Sequence, residues 1–467
     1  MSANRVHAFD DDALGEHDAV GIAERIRRGE VSAQQVAAAA VARAQRVDPS
    51  LRAVAHAAYE RPHREGDPGA ALYGVPTFVK DNTDVVGMPT NHGTAAYLAR
   101  PAGSDGRYAR QFLSTGMTVL GKSRLPEFGL NATTEFMTEE PTRNPWHTGY
   151  SVGASSGGAA ALVASGAVPI AHANDGGGSI RIPAAAAGLI GLKPSRGRHV
   201  NGETARHLPI NMISEGVLTR SVRDTAVFFA AAEDYWRNPK LPPVGLVQGP
   251  SKRRLRIGLV LDSLTAAEIC PHTRAAVERT AALLEKQGHH IEPMTAPVDA
   301  QFAADFVLYW GLLATLTATL GKYAFDRSFD TSKLDGLTLG LGHHYRRHLR
   351  DTPGALYRLR RATHDYARMF ERRELVLSPV LAHVTPPLGH LSPTVPYPEL
   401  IARLNNYVAY TPINNITGTP AISLPMAQTP DGLPIGVHLS AAYGDERTLL
   451  ETAFALEQQQ DWPRIQH

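Results

Sequence analysis

Residues 175–181 have the sequence Asp-Gly-Gly-Gly-Ser-Ile-Arg, in which three glycines and a serine stand between an acidic and a basic residue. Successive glycines leave their backbone N–H groups uncrowded, so the loop can direct several donors at one developing negative charge. Ser179 could then attack a carbonyl, while Asp175 and Arg181 could pair across the loop and hold its shape. A plain glycine turn and a phosphate cradle are the alternatives, although the pattern G-x-x-x-x-G-K-[ST] is missing.

A second serine loop precedes the first. Residues 153–157, Gly-Ala-Ser-Ser-Gly, match the G-x-S-x-G nucleophile elbow, in which a serine occupies a strained turn between a strand and a helix. A helix over 159–165 fits after it, but residues 144–152 contain proline, glycine and several polar groups, which does not indicate a buried strand. No motif fixes which of the 20 histidines would complete a triad with Ser155. The elbow therefore stays one of two hypotheses for this loop.

A serine nucleophile needs a base, and Lys80 is the candidate that the local sequence offers besides histidine. The apolar run Val75–Val79 predicts a strand that ends at Lys80, and Asp81 and Asn82 follow it. Lysine has a reference pKa of about 10.4, and burial can lower it by several units. A buried Lys80 could therefore act as a neutral base, whereas an ordinary surface lysine is the alternative on this stretch alone.

Lys80, the Ser155 loop and the Ser179 loop together resemble the amidase signature family. Ser155 and Ser179 are 24 residues apart, which is the spacing of that family's two serines. The resemblance runs from about residue 20 to 460. Further motifs that carry it are Gly74-Val75-Pro76, Arg143-Asn144-Pro145-Trp146, Gly191-Leu192-Lys193-Pro194 and Gly418-Thr419-Pro420-Ala421-Ile422-Ser423-Leu424-Pro425.

The resemblance implies a Ser–Ser–Lys mechanism. Ser179 would be the acylated nucleophile, Ser155 would relay protons, and Lys80 would be the neutral base. A cis peptide bond would join Ala154 to Ser155. The same resemblance implies an oxyanion hole formed by the backbone N–H groups of Gly176, Gly177, Gly178 and Ser179, with Asp175, Arg181 and Ser156 as supporting residues.

Two positions depart from the commonest pattern of the family. Ala154 replaces a glycine before the relay serine, and Gly176 replaces a threonine or isoleucine after the aspartate. Neither change removes a reacting side chain. The motif at 174–179, followed by Ser-Arg-Gly-Arg at 195–198, is similar to bacterial amidases of the nylon-oligomer hydrolase type and to actinobacterial relatives.

The reaction that the resemblance implies is hydrolysis of a carboxylic amide to an acid and an amine or ammonia, with aryl amides and oligoamides as candidate substrates. No cofactor and no metal is expected, and the expected partner is a small-molecule amide. Two alternatives remain. One is a Ser–His–Asp esterase that uses Ser155. The other is the glutaminase subunit of a tRNA-dependent amidotransferase, which the lack of a basic excess disfavours.

Strand and helix signals alternate along the chain and predict an α/β protein. Ser32 and Gln35 form a capping-box pattern before an alanine-rich helix, Ala53–Ala58 is ambiguous, and a last helix is predicted over Glu446–Gln459. The resemblance implies one amidase domain over 1–467, with a mixed, twisted central β-sheet covered by helices on both faces. Within it, about 240–400 is expected to form a smaller lid or substrate lobe. Substrate would lie between that lobe, the Ser179 loop and the segment 131–139, with Thr133, Tyr309 and Trp310 as candidate pocket residues.

Composition narrows the functional class. The chain has 467 residues with 47 basic and 45 acidic side chains, a net charge of +2, so a dedicated nucleic-acid binder is disfavoured. Cys270 is the only cysteine, which excludes an intramolecular disulfide and a multi-cysteine zinc site. The sequence contains no uninterrupted apolar run of about 18 residues and no signal-peptide pattern, so we expect a cytoplasmic enzyme without a membrane partner. A homodimer is left open.

Two further patterns favour ordinary structure. His344 and His348 are spaced i, i+4, but no glutamate between them and no third ligand indicates zinc. The arginine-rich segment 342–375 carries an apolar stripe at helical spacing, which predicts an amphipathic helix with a basic outer face.

Overall fold

The computed structural model describes residues 4–64, 66–203, 205, 208–263, 265 and 267–466. Within these ranges the strands are β1 (Val54–Ala57), β2 (His63–Arg64), β3 (Pro76–Lys80), β4 (Thr118–Ser123), β5 (Arg143–Asn144), β6 (His147–Ser151), β7 (Ile170–Asp175), β8 (Ile190–Lys193), β9 (Ser214–Thr219), β10 (Arg256–Leu259), β11 (His290–Pro293), β12 (Leu375–Pro379), β13 (Ala421–Gln428) and β14 (Pro434–Ala441).

The α-helices of the same ranges surround these strands. They are α1 (Ala19–Arg27), α2 (Ala33–Leu51), α3 (Arg107–Leu113), α4 (Gly157–Ala164), α5 (Arg181–Ala187), α6 (Val222–Tyr235), α7 (Pro271–Lys286), α8 (Ala300–Ala324), α9 (Gly336–Arg347), α10 (Thr352–Ala367), α11 (Tyr397–Tyr407), α12 (Pro412–Thr417) and α13 (Glu446–Gln459).

Eight strands form the central sheet in the order β11-β10-β12-β14-β13-β8-β9-β7. β10 pairs in parallel with β11 and β12, and the other neighbouring strands pair in antiparallel fashion. β13 and β14 are buried along nearly their whole length, because helices cover the sheet at its centre. The mixed α/β sheet with surrounding helices is the predicted fold class, which is confirmed.

A small sheet made of β1, β4, β2 and β3 lies against one edge of the central sheet. Two contacts join β3 to the edge strand β7: Thr77 Oγ1 donates to the carbonyl of Ile170 at 3.0 Å, and the Lys80 N–H donates to His172 Nδ1 at 3.2 Å. These contacts place the end of β3, and with it Lys80, beside the end of β7.

Helices α4 and α5 begin directly after the two serine loops. Every residue of both helices is buried, and they pack on one another. Apart from Arg181 at the start of α5, both helices consist of small and apolar residues, which is typical of a protein core, and they anchor each loop to the interior. The serine loops therefore end at fixed helix N-termini.

Several local predictions are confirmed, and one ambiguity is resolved. α13 has the predicted bounds, and Ser32 and Gln35 make both hydrogen bonds of the capping box. The ambiguous run 53–58 contains the strand β1. Residues 144–152 contain the strand β6, but only Ser151 at its end is buried, so the segment is not the buried strand of an elbow.

Part of the segment 240–400 contributes to the central sheet. Its strands β10, β11 and β12 belong to the central sheet, because they complete that sheet beyond β14. The part that covers the serine loops is narrower and consists mainly of α8, α9 and α11.

Helix α8 alone among the described residues is long and apolar enough, by length and composition, to cross a membrane. Core helices of soluble proteins share these properties, and α8 buries Phe302, Tyr309 and Ala314 against the rest of the chain. Its partners in the helical layer are α9 and α10.

Candidate active site

Lys80 ends β3 with its side chain fully buried at 0% exposure. Its Nζ atom lies 2.7 Å from Ser155 Oγ, 3.0 Å from Ser156 Oγ and 2.8 Å from Asn174 Oδ1. All three partners are uncharged, so nothing in direct contact compensates an ammonium group. Burial accordingly lowers the pKa of Lys80 to about 7, and the more distant charges of Glu215 and Asp175 oppose that effect.

The hydrogen-bond partners of Lys80 determine which atoms accept the two N–H groups of its neutral amine. The side-chain carbonyl of Asn174 can only accept, so it takes one N–H of the amine. Ser156 gives its own hydroxyl proton to the Asn174 backbone carbonyl at 3.3 Å, so its oxygen accepts the second N–H. The lone pair of Nζ is left for the hydroxyl of Ser155. Neutral Lys80 is thus placed to draw a proton from Ser155.

Ser155 and Ser156 lie between a cis peptide bond, Ala154–Ser155, and the first turn of α4. Ser156 occupies the N-cap position without a side-chain cap, because its hydroxyl is engaged by Lys80. Its backbone N–H donates to the carbonyl of Ser179 at 3.3 Å and so ties the two serine loops together.

The Ser179 loop winds around the carboxylate of Asp175. That carboxylate accepts from the backbone N–H groups of Gly178 at 2.7 Å and Ile180 at 3.1 Å. It also accepts from Arg181 Nε at 2.9 Å and Nη2 at 3.0 Å, and both partners of this ion pair are fully buried. Although burial favours the neutral acid, the Arg181 charge holds the pKa of Asp175 well below its usual range. The predicted pairing of Asp175 with Arg181 is present.

The oxyanion-hole prediction needs one correction. The N–H of Gly178 points at Asp175, because the backbone there adopts φ +140°, and it is not free to bind an oxyanion. A Cβ at Gly178 would also come within 2.4 Å of Thr411 Oγ1, so glycine is required. Within the described chain, the N–H groups of Gly176, Gly177 and Ser179 have no protein acceptor and remain as the candidate donors.

Two aromatic rings from α8 cover this loop. Phe306 and Trp310 stack with centroids 5.4 Å apart, and Trp310 Nε1 donates to the carbonyl of Leu130 at 3.0 Å. A Cβ added to Gly177 would lie 3.3 Å from the Phe306 ring, and one added to Gly176 would lie 3.7 Å from Trp310. The glycine at 177 therefore allows the close approach of Phe306 to the candidate oxyanion donors, whereas a Cβ at 176 would make only an ordinary contact with Trp310.

A cavity of about 90 Å³ opens beside Ser179, Gly177 and Ala154. Its lining is mainly aliphatic and aromatic, and the described residues that line it include no charged side chain. The other lining side chains come chiefly from α8, α9, α11 and the segment around 130; they are Leu130, Asn131, Ala132, Ile182, Thr265, Phe302, Ala303, Phe306, Val307, Trp310, Leu337, Leu341, Ile401, Leu404, Asn405, Val408 and Pro412. Such a site suits a narrow, uncharged acyl group.

Of the three predicted pocket residues, the structure places only Trp310 in the cavity wall. Tyr309 is turned into the core by the helical geometry of α8, and its hydroxyl donates to the Ile210 carbonyl at 2.7 Å. Thr133 is fully buried, and its hydroxyl bonds to Glu135 and Ser151. Tyr309 and Thr133 therefore lie outside the lining of this cavity.

The residues that a Ser–His–Asp triad or a metal site would need do not lie together in the described ranges. Within the described ranges, no histidine lies within hydrogen-bond distance of either serine hydroxyl, which counts against the Ser–His–Asp hypothesis. The same residues contain no His, Cys, Asp or Glu group arranged to hold a metal. His344 and His348 are only ring neighbours with centroids 4.7 Å apart, and the sulfur of Cys270 contacts Thr273.

Sequence reasoning missed three kinds of site residue. Asn174 stood in the quoted motif without a role, yet it holds the Lys80 amine. Phe306 was one turn from Trp310 on the predicted aromatic wall, so the i, i+4 spacing could have found it. His172 and Glu215, behind Lys80, gave no local signal, because only strand pairing brings them there.

Fold and site place the chain among α/β proteins whose buried lysine and paired serines are equipped for acyl transfer. The family model named Amidase matches residues 26–450. The protein named "Putative amidase AmiC" of Mycobacterium leprae (strain TN) is 49% identical over 465 residues, which span 99% of each chain. The 6-aminohexanoate-cyclic-dimer hydrolase of Pseudomonas sp. (strain NK87) is 31% identical over 473 residues, which span 95% of each chain.

A solved structure of 6-aminohexanoate cyclic dimer hydrolase superposes with a TM-score of 0.85 at 28% identity. The match covers 98% of this chain and 99% of the other. The chain therefore belongs to the amidase family, and its reaction class is hydrolysis of amides.

Proposed function

We propose that this amidase cleaves uncharged amides with narrow, apolar acyl groups through an acyl-enzyme on Ser179. The observation that supports this most directly is the buried contact between Lys80 Nζ and Ser155 Oγ, beside a serine loop that faces an uncharged cavity. A neutral amine, a relay hydroxyl and free backbone donors are the parts that acyl transfer to a serine needs.

In the proposed mechanism Lys80 takes the proton of Ser155, and Ser155 takes the proton of Ser179. The Ser179 oxygen then attacks the amide carbonyl and forms a C–O bond, while the negative charge moves to the carbonyl oxygen. The N–H groups of Gly176, Gly177 and Ser179 stabilise that charge. The C–N bond then breaks as the nitrogen receives the proton from Lys80 through Ser155.

Deacylation repeats these steps with water in place of Ser179. The same relay takes a proton from water, which attacks the acyl carbon, and the proton is returned to Ser179 as the carboxylic acid leaves. The overall reaction is amide plus water to acid plus amine or ammonia. Because an alkoxide leaves more readily than an amine, esters with the same acyl group are expected to react as well.

The choice of acyl group follows from the lining of the cavity. Trp310 and Phe306 narrow it above the Ser179 loop, and the lack of charged lining residues disfavours acyl groups that carry a free carboxylate or ammonium. Aryl amides and uncharged oligoamides fit this description. The 6-aminohexanoate cyclic dimer, on which a relative acts by name, is an oligoamide that carries no charge until its ring is opened, and it supports the second choice. Simple linear monocarboxylic amides complete the proposed range.

We further propose that the enzyme works in the cytoplasm on free small molecules, either alone or as a homodimer. Hydrolysis by the purified chain without ATP or a partner protein is expected. Dependence of the reaction on a partner or on ATP would instead favour the glutaminase-subunit alternative.

Acyl-enzyme mass spectrometry tests the proposal. Wild-type protein and the Ser179→Ala variant are mixed with a panel of aliphatic, aryl and cyclic oligoamide substrates, quenched in acid and digested. We expect an acyl adduct on the peptide that contains Ser179, strongest for uncharged acyl groups, and none in Ser179→Ala. An adduct on Ser155 instead would contradict the assignment.

The base is tested separately with Lys80→Ala. Activity should fall by at least about 10³-fold, since the relay would then have no acceptor for its proton. Full activity of Lys80→Ala would overturn the Ser–Ser–Lys mechanism and favour the esterase alternative. Circular dichroism of the variant checks that it is folded.

A further inference from the structure

Two buried side chains, the imidazole of His172 and the carboxylate of Glu215, form a chain of hydrogen bonds that starts at the backbone of Lys80. The backbone N–H of Lys80 donates to His172 Nδ1 at 3.2 Å, and His172 Nε2 lies 3.1 Å from Glu215 Oε2. Because Nδ1 accepts a hydrogen bond from the backbone N–H of Lys80, a neutral His172 ring carries its own proton on Nε2. That Nε2–H donates to the carboxylate of Glu215. Burial lowers the pKa of His172, which favours this neutral form.

Strand pairing and aromatic packing fix this arrangement. Asn174 of β7 pairs directly with Glu215 of β9, and His172 stands two residues earlier on the same face of β7. The rings of Tyr108 and Phe112 pack on the imidazole, with centroids 5.2 and 5.5 Å away. The imidazole therefore has one orientation, which serves Lys80 on one side and Glu215 on the other.

The charges near Lys80 are compensated unequally. Asp175 is neutralised by its bidentate pair with Arg181. Among the described residues, the side chain of Glu215 has only the neutral His172 ring as a hydrogen-bond partner. Glu215 thus brings a negative charge into the interior, and no cation of the described ranges makes an ion pair with it apart from the His172 ring when that ring is protonated. After burial itself, which lowers the pKa of Lys80, the charge of Glu215 is the largest influence and acts in the opposite direction.

We propose that Glu215, acting through His172, is a positioning residue for Lys80. Its carboxylate orients the ring that holds the end of β3, and its charge keeps the amine basic enough to take a proton from Ser155. The inference rests on the proposed function, in which Lys80 is the base. Within the part of the chain that the structure describes, the other titratable groups that face this cluster from packed elements are Lys122 of β4, Tyr108 of α3, Asp175 of β7, and His199 with Arg198 from the segment before β9.

The direct test is the pKa of the Lys80 side chain in the Glu215→Gln variant. The chain has eight lysines, so ¹³Cε-labelled lysine gives few signals, and Lys80→Met assigns the one that belongs to Lys80. We expect Glu215→Gln, which keeps the shape and removes the charge, to lower the Lys80 pKa by about one unit. The acid limb of the pH profile of kcat/KM should move to lower pH by the same amount.

Two variants separate charge from packing. Glu215→Asp retains the charge, so the Lys80 pKa should stay near the wild-type value even if the shorter side chain lowers kcat. Glu135→Gln removes another buried carboxylate, one that bonds to Thr133 and Gly389, and should leave the Lys80 pKa unchanged. An unchanged Lys80 pKa in Glu215→Gln, or an equal fall in Glu215→Asp, would overturn the inference.

The two readouts also separate this inference from the proposed function. If the Lys80 pKa falls in Glu215→Gln but the acid limb of kcat/KM stays in place, Glu215 acts on Lys80 as inferred and Lys80 is not the base. If the Lys80 pKa is unchanged while Lys80→Ala abolishes activity, the proposed function stands and the role of Glu215 is wrong.

Discussion

The pH dependence of the reaction follows from the burial of Lys80. A base must be neutral in the free enzyme, and kcat/KM reports the ionisation of the free enzyme. Burial among uncharged partners lowers the pKa of Lys80 to about 7. We therefore expect kcat/KM for an uncharged amide to rise with pH and to reach half of its plateau near pH 7.

The size of the effect follows from the neutral fraction of one group. With a pKa of about 7, the amine is neutral in about 1% of molecules at pH 5, about 9% at pH 6 and about 91% at pH 8. The value of kcat/KM should fall about tenfold for each pH unit below 6. If the base were an exposed lysine with a pKa of about 10.4, kcat/KM would still rise steeply with pH at pH 9.

The assay is steady-state hydrolysis of an uncharged amide between pH 5 and 10, with circular dichroism at each pH to check that the protein is folded. One other group needs a control, because burial also raises the pKa of Glu127 to about 7 and this residue precedes the cavity wall at Leu130. The Glu127→Gln variant should keep the same acid limb. A flat profile between pH 5 and 9, or a limb that disappears in Glu127→Gln, would refute the assignment to Lys80.

Three further predictions concern stability and specificity. Burial beside Asp335 raises the pKa of Glu127, so the folded state holds a proton that the unfolded state has lost between about pH 4.5 and 7. Denaturation should show stability falling by up to about 3 kcal/mol as pH rises through this window, and Glu127→Gln should abolish that fall. Arg181→Met leaves the buried charge of Asp175 unpaired and should cost about 3–5 kcal/mol in urea unfolding, with loss of activity. Trp310→Ala removes the ring above the Ser179 loop and should raise kcat/KM for bulkier acyl groups relative to small ones; an unchanged ratio would exclude Trp310 from the acyl site.

Features that depend on neighbours in the sequence were predictable. The helix Glu446–Gln459 has the predicted bounds, because its apolar period and its end are local properties. Asp175 at the end of β7 and Arg181 at the start of α5 are six residues apart, so the sequence of the short loop between them was enough to predict their pairing. The placement of Lys80 at a strand end was likewise predictable, since the preceding residues are apolar.

Features that depend on tertiary packing were not predictable. The sequence predicts both Tyr309 and Trp310 for the pocket wall, but the turn of α8 brings only Trp310 to the Ser179 loop and directs Tyr309 into the core. The N–H of Gly178 does not contribute to the oxyanion hole, because it donates to Asp175. Composition does not determine which of the loop N–H groups makes this bond. The contribution of the segment 240–400 to the central sheet depends on the pairing of β12 with β14, which joins residues far apart in the chain.

Asp175 and Lys80 are buried titratable groups near Ser179, and they have opposite roles because their hydrogen-bond partners differ. Burial penalises the charged form of both Asp175 and Lys80. Arg181 cannot be deprotonated in a protein, so its two-point contact keeps Asp175 ionised and the loop rigid. Lys80 meets only hydroxyl and amide groups, so it can give up its proton at neutral pH. An arginine in place of Lys80 would retain its charge and could not accept the proton of Ser155, which is why the chemistry requires lysine at this strand end.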